Sequence, residues 1–163
     1  MKLDQSIHAP WKTTLGGQIL IKATDQFDII ISDSTDPIGP GESLFTSKFY
    51  QSINKCLTQD GVFVAQNGVC FMQMDEVLNS HQRLKPLFKN VSFYSAAVPT
   101  YAGGIMTFAW ASQTLSPAAV DEKTITRRFK DANISTRYYH PQIHQASFAL
   151  PQYVNDALEQ SHA

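Results

Sequence analysis

The chain has 163 residues and a mass of 18.2 kDa, one domain on a scale of roughly 150 residues per domain and long enough to bury a core. Its 43% hydrophobic and 17% charged residues describe a globular chain and not a disordered one. Thirteen basic against fourteen acidic residues give a formal net charge of -1, which excludes a whole-chain electrostatic footprint for nucleic acid or an anionic lipid surface.

Met1 to Pro10 contains Asp4 and no apolar stretch of leader length, so no secretory signal is expected there. Residues 1–24 are interrupted by Pro10, Gly16 and Gly17 and allow at most one short strand, Gln18 to Ile21. Phe27 to Asp33 is a β-branched run with little alternation, the pattern of a strand buried on both faces in a parallel sheet. It ends in the turn residues Asp36 to Gly41. Ser43 to Leu57 then carries Phe45, Phe49, Ile53 and Leu57 at fourfold spacing, one stripe of a helix that Ser43 or Thr46 caps. Gln59-Asp60-Gly61 is expected to break that helix, and Val62 to Gln66 to form a second buried strand ending at Asn67-Gly68, which completes a βαβ unit.

A second helix is predicted from about Gln73 to Phe88, with Val77, Leu78, Leu84, Leu87 and Phe88 inward. Val91 to Val98 and Ile105 to Ala111 are strands joined by so short a loop, Pro99 to Gly104, that they must be antiparallel. Beyond Leu115 the expectation is a polar helix over Asp121 to Asn133, a turn at Tyr138 to Pro141, and a terminal helix from Pro151 to Gln160. No apolar run reaches the roughly 20 residues of a membrane span. Cys56 and Cys70 form no framework of pairs, which favours free thiols and a cytoplasmic compartment. The fold class is α/β, a mixed sheet with an antiparallel pair at one edge. Its first strand would be left with an unpaired apolar edge unless more sheet lies beside it.

Ligands of open α/β sheets bind beyond the carboxyl ends of the parallel strands. The residues that emerge there are Asp33, Ser34, Thr35 and Asp36 from the first strand, and Gln66 and Asn67 from the second. Pro37 biases Asp36 away from helical geometry, so both carboxylates can face one crevice and suit a cationic ligand. At an effective dielectric near 20, a carboxylate about 4 Å from an ammonium gains roughly 4 kcal/mol before desolvation. The same Asp-x-x-Asp-Pro pattern is also an ordinary turn in which Asp side chains bond nearby backbone N–H groups. Gln66 could simply cap a strand end, and Tyr101 could anchor its loop. His140 and His144 have a spacing that suits a metal, but Pro141 and the lack of neighbouring acids argue against one, and a reactive Cys70 lacks an adjacent base.

Four segments are specific beyond this. DIIISDSTDPIGPGESLFTSKFY (Asp28 to Tyr50), GVFVAQNGVCF (Gly61 to Phe71), VPTYAGGIMTFAWAS (Val98 to Ser112) and RYYHPQIHQASFALPQYV (Arg137 to Val154) resemble, in order, segments of the polyamine aminopropyltransferase family, the spermidine synthases. The resemblance implies transfer of an aminopropyl group from decarboxylated S-adenosylmethionine to putrescine on a Rossmann-like, methyltransferase-type sheet, without metal or other cofactor. It implies Asp33 as the base, Asp36 as an amine-binding carboxylate, Ser34, Thr35, Gln66 and Tyr101 at the diamine, and Pro40, Gly41 and Leu44 along the nucleoside pocket. It also implies a homo-oligomer, a dimer or tetramer in the full-length family.

Family members are nearly twice as long and open with a small β-domain and the first half of the sheet. This chain is expected to be the C-terminal part of the catalytic domain over 25–163, with 1–24 a divergent segment in which Leu15 stands where the family has the acid of an Asp-Gly adenine contact. Two further readings stay open. One is a non-catalytic remnant that binds a diamine or a full-length subunit. The other is a methyltransferase, which the acidic pair at Asp33 and Asp36 disfavours.

Overall fold

The computed structural model describes residues 27–33 and 39–161. Four strands form one mixed sheet: β1 (Phe27–Ser32), β2 (Leu57–Gln66), β3 (Asn90–Ala97) and β4 (Ile105–Ser112), in the order β1-β2-β4-β3. β1 and β2 are parallel, with Ile30 beside Phe63 and Ser32 beside Ala65. β4 runs antiparallel to both β2 and β3. The helices are α1 (Ser47–Cys56), α2 (Met74–Leu84), α3 (Glu122–Asp131), α4 (Pro141–Ser147) and α5 (Gln152–Gln160). The expected βαβ unit and antiparallel pair are both present; the strand proposed at Gln18 to Ile21 lies outside the described residues.

Alternation along the strands builds the core on one face. Ile30, Phe63, Ala65, Phe93, Ala109 and Ala111 meet Phe49, Tyr50 and Ile53 of α1, Val77 and Leu84 of α2, and Val154 of α5. Phe49 and Tyr50 both set their rings edge-on to Phe63, at centroid distances of 6.4 and 5.8 Å, a geometry that the ring quadrupoles favour. Of the predicted stripe, Phe49 and Ile53 are buried on α1, whereas Phe45 and Leu57 are buried from the 3-10 segment before it and from the first position of β2. Thr46 caps α1, its hydroxyl accepting the Phe49 N–H at 3.2 Å. Gly39–Phe45 before it is a 3-10 segment, so the helix expected from Ser43 begins later.

Three further expectations are corrected. Gln59-Asp60-Gly61 does not separate α1 from the second strand, because β2 starts at Leu57, directly after the helix. The register shift between Phe27 and Ile29 absorbs these residues, and Gly61 is needed there: a Cβ would stand 2.9 Å from the Leu57 side chain and 3.0 Å from the Phe27 carbonyl. α2 stops at Leu84, and Pro86 follows in a turn that still buries Phe88. Pro141 opens a helix, with the His140 ring accepting the Gln142 N–H, where only a turn was expected; proline suits a first helical position because its missing N–H has no partner there.

β1 is not buried on both faces. Ile29 and Ile31 are 63% and 68% exposed; they share the face opposite the core with their neighbours Val62 and Val64. Further along that face Tyr94 stacks on Phe108 at 5.1 Å and meets Phe148 of the α4 C-cap. No helix among the described residues is long and apolar enough to cross a membrane.

Candidate active site

Strand direction decides which side chains can meet. β1 and β2 are parallel, so their carboxyl ends share one side of the sheet, where Asp33 and Gln66 follow the Ser32–Ala65 pair. β4 is antiparallel, so its beginning and the Pro99 to Gly104 loop lie at that same end. The register thus brings Asp33, Gln66 and the Tyr101 loop to one mouth. Asp33 is exposed, Gln66 half-buried and Tyr101 exposed. Ser34, Thr35 and Asp36 lie outside the described residues. The 3-10 segment Gly39–Phe45, which holds Pro40, Gly41 and Leu44, leads into α1 at this end; Leu44 packs against the core, and the Arg83 guanidinium of α2 donates to the Phe45 carbonyl.

The loop bearing Tyr101 is closed by its own backbone. Val98 N–H donates to Gly104 O at 2.8 Å, Tyr101 N–H to Val98 O at 3.1 Å, and Gly104 N–H to Tyr101 O at 2.9 Å. Gly103 and Gly104 have φ of 77° and 70°, a left-handed conformation that side chains other than glycine resist. Gly103 also lies against the ring of Phe71, leaving no room for a Cβ. Phe71 follows β2 by a few residues, so the two connections that frame the mouth touch there. This contact was not foreseen, because nothing local in the sequence pairs Phe71 with Gly103.

Beyond Gln66 the chain turns at Gly68, φ 74°. The Gln73 side chain then accepts the Val69 N–H at 2.9 Å and donates to Glu76 at 2.8 Å. Cys70 is buried, its sulfur 3.4 Å from the Tyr153 hydroxyl; that hydrogen bond, with burial, pushes the Tyr153 pKa to about 12. His144 is 3.2 Å from the Tyr139 hydroxyl and His140 caps α4. No cluster of three or more His, Cys, Asp or Glu with metal-holding geometry occurs among the described residues.

The register thus gathers an acidic group, an amide and the loop of a phenol at one end of the sheet, with the glycine-bearing segment of Leu44 leading away from it. The family model of the spermine/spermidine synthase domain matches residues 8–124. The chain belongs to that family. The match begins inside the 1–24 segment that sequence reasoning sets apart. The polyamine aminopropyltransferase of Erwinia tasmaniensis is 60% identical over 143 residues, 88% of this chain and 50% of that protein. The one from Serratia proteamaculans is 60% identical over 146 residues, 89% of this chain and 51% of its own length.

Two solved spermidine synthases share the fold. One, in complex with the transition-state analogue AdoDATO, aligns with a TM-score of 0.80 and 34% identity over 90% of this chain and 50% of that one. The Thermotoga maritima enzyme gives 0.75 and 33% over 89% and 48%. The chain spans about half the length of the curated relatives it matches. This spermine/spermidine synthase domain is therefore the mixed α/β sheet expected, over the matched part of a longer fold.

Proposed function

We propose that this chain serves aminopropyl transfer, moving the aminopropyl group of decarboxylated S-adenosylmethionine to putrescine and releasing spermidine and methylthioadenosine. The observation that carries the reading is the register that brings Asp33, Gln66 and the Tyr101 loop to one end of the sheet. The names of the relatives at 60% identity support it.

The chemistry asks little of the protein beyond charge and position. The sulfonium already activates the carbon that is attacked, so the nitrogen lone pair forms the new C–N bond while the C–S pair leaves with the thioether. The obstacle is the nitrogen's proton: an alkylammonium near pKa 10.4 must lose it, at a cost of roughly 4 to 5 kcal/mol at pH 7. Asp33, exposed at the end of β1, is assigned as the base that takes it. Asp36 is assigned to the diamine's other ammonium, with Ser34, Thr35, Gln66 and Tyr101 as further diamine contacts. Pro40, Gly41 and Leu44 are assigned to the nucleoside pocket. No metal or further cofactor has a part in these steps; holding nitrogen, carbon and sulfur in line supplies the rest of the acceleration.

The same reading takes 25–163 as the C-terminal part of the catalytic domain. It places the protein in the cytoplasm, where the free thiols of Cys56 and Cys70 would persist, as a homo-oligomer of the family's kind. A second reading, a non-catalytic piece that binds diamine or a full-length subunit, is favoured by the exposure of Ile29 and Ile31 on the edge strand.

Complementation separates the two. The chain, mixed with the N-terminal half of the Erwinia tasmaniensis relative, should form spermidine and methylthioadenosine from putrescine and decarboxylated S-adenosylmethionine, and Asp33→Asn should abolish that turnover while the variant still folds. Turnover that survives Asp33→Asn refutes the base assignment; diamine binding without turnover in the mixture leaves the second reading.

A further inference from the structure

The exit of β2 carries polar groups that the diamine reading does not use. Asn67 and Thr107 are each 0% exposed. Asn67 Nδ2, Asn67 Oδ1 and Thr107 Oγ1 have no hydrogen-bond partner among the described residues. The two residues stand one step beyond the Gln66–Phe108 pair. Asn67 N–H donates to Thr107 O at 2.8 Å, and Thr107 N–H donates to Gly68 O at 2.8 Å. Two residues of one strand thus face one of the other, a bulge at the end of the ladder with Gly68 in its left-handed conformation.

Parity puts both side chains on the core face. Asn67 continues the row of Phe63 and Ala65, and Thr107 that of Ala109 and Ala111. Both side chains are wholly buried on that face, and the backbone bond from Asn67 N–H to Thr107 O holds the two residues side by side. Leucine and valine would fill much the same volume without polar atoms, whereas each buried polar group left unmet costs about 1–3 kcal/mol. The cluster offers a donor-only amide nitrogen, an acceptor-only amide oxygen and a hydroxyl that does either. A cation would satisfy only the acceptors and an anion only the donors. A small neutral group that donates and accepts satisfies all three, and water is the one that fits such enclosures.

We propose that Asn67 and Thr107 form a buried water-binding site that pins the bulge at the sheet mouth and thereby positions Gln66. The water site stands on packing alone; its bearing on Gln66 rests on the diamine reading. The test is chemical denaturation of the full 163-residue chain carrying Thr107→Val, which keeps the shape and removes the hydroxyl, beside Thr107→Ser, which keeps the hydroxyl.

Thr107→Val is expected to lower the folding equilibrium constant about fivefold or more, or to prevent folding, and to speed hydrogen exchange at the Asn67 and Thr107 amides. Thr107→Ser should retain most of the stability. A Thr107→Val chain as stable as the parent or more so overturns the water site, and so does a Thr107→Ser chain that loses as much as Thr107→Val, since the methyl group would then be what matters. Putrescine titration reads the second half. Weaker binding by a folded Thr107→Val chain supports the positioning of Gln66, and unchanged binding overturns it. Absence of binding in the parent chain counts against the diamine reading and leaves the water site standing.

Discussion

His144 lies half-buried on α4, its ring 3.2 Å from the Tyr139 hydroxyl and 5.9 Å from the Phe148 ring. Burial holds its pKa below the ordinary 6.5, so the unfolded chain takes the proton more readily than the folded one. Stability is therefore complete above about pH 6.5 and declines as pH falls through and below that value, where unfolding begins to bind a proton. The thermal midpoint should drop between pH 7.5 and pH 5.5. A smaller drop in His144→Gln is the expected outcome; an equal drop would assign the acid sensitivity elsewhere. At this scale, Asp33 and Gln66 are legible because a polar residue directly after an apolar strand marks the strand's mouth. Thr107 is not, since its polarity shows as an anomaly only once the parity of β4 assigns it to the core face beside Ala109.

The loop between β3 and β4 offers a comparison of two adjacent glycines with the same backbone conformation and different surroundings. Gly104 has φ 70° and open space where a Cβ would be, whereas Gly103 has φ 77° and the Phe71 ring in the way. Gly104→Ala should cost only the left-handed strain of about 1–2 kcal/mol. Gly103→Ala should cost more, because Phe71 must also move, and denaturant midpoints would rank the two; equal losses would mean that Phe71 does not brace the loop. Elements with a strong period, such as α1 with its Phe49 and Ile53, are readable from the chain alone. The start of β2 is not, since Gln59-Asp60-Gly61 has turn composition and becomes strand only because Phe27 pairs with Leu57 across a register shift. α4 was hidden for a related reason: its Pro141 reads as a break until the residues after it are seen to continue the helix.

Across the whole molecule the two faces of the sheet are treated differently. α1, α2 and α5 close one face, while on the other Ile29 and Ile31 of the edge strand remain open. That run had to be an interior strand to explain its composition, and the described structure puts it at an edge with Ile29 and Ile31 exposed. Sheet order was only partly legible, because short loops dictate that β3 and β4 pair but not that β4 lies between β2 and β3. That insertion is what carries the Tyr101 loop to the side where β1 and β2 end.

Whether this mouth holds a diamine is decided most directly by titrating putrescine into the isotopically labelled 163-residue chain and into its Asp33→Asn variant, with NMR signals as the readout. The account predicts saturable shifts at the Gln66 side-chain amide and at the Tyr101 backbone amide, and binding weaker by about tenfold or more in the variant, as expected for loss of a charged hydrogen bond. Equal affinity in the two chains, or shifts that leave Gln66 and Tyr101 untouched, would contradict it.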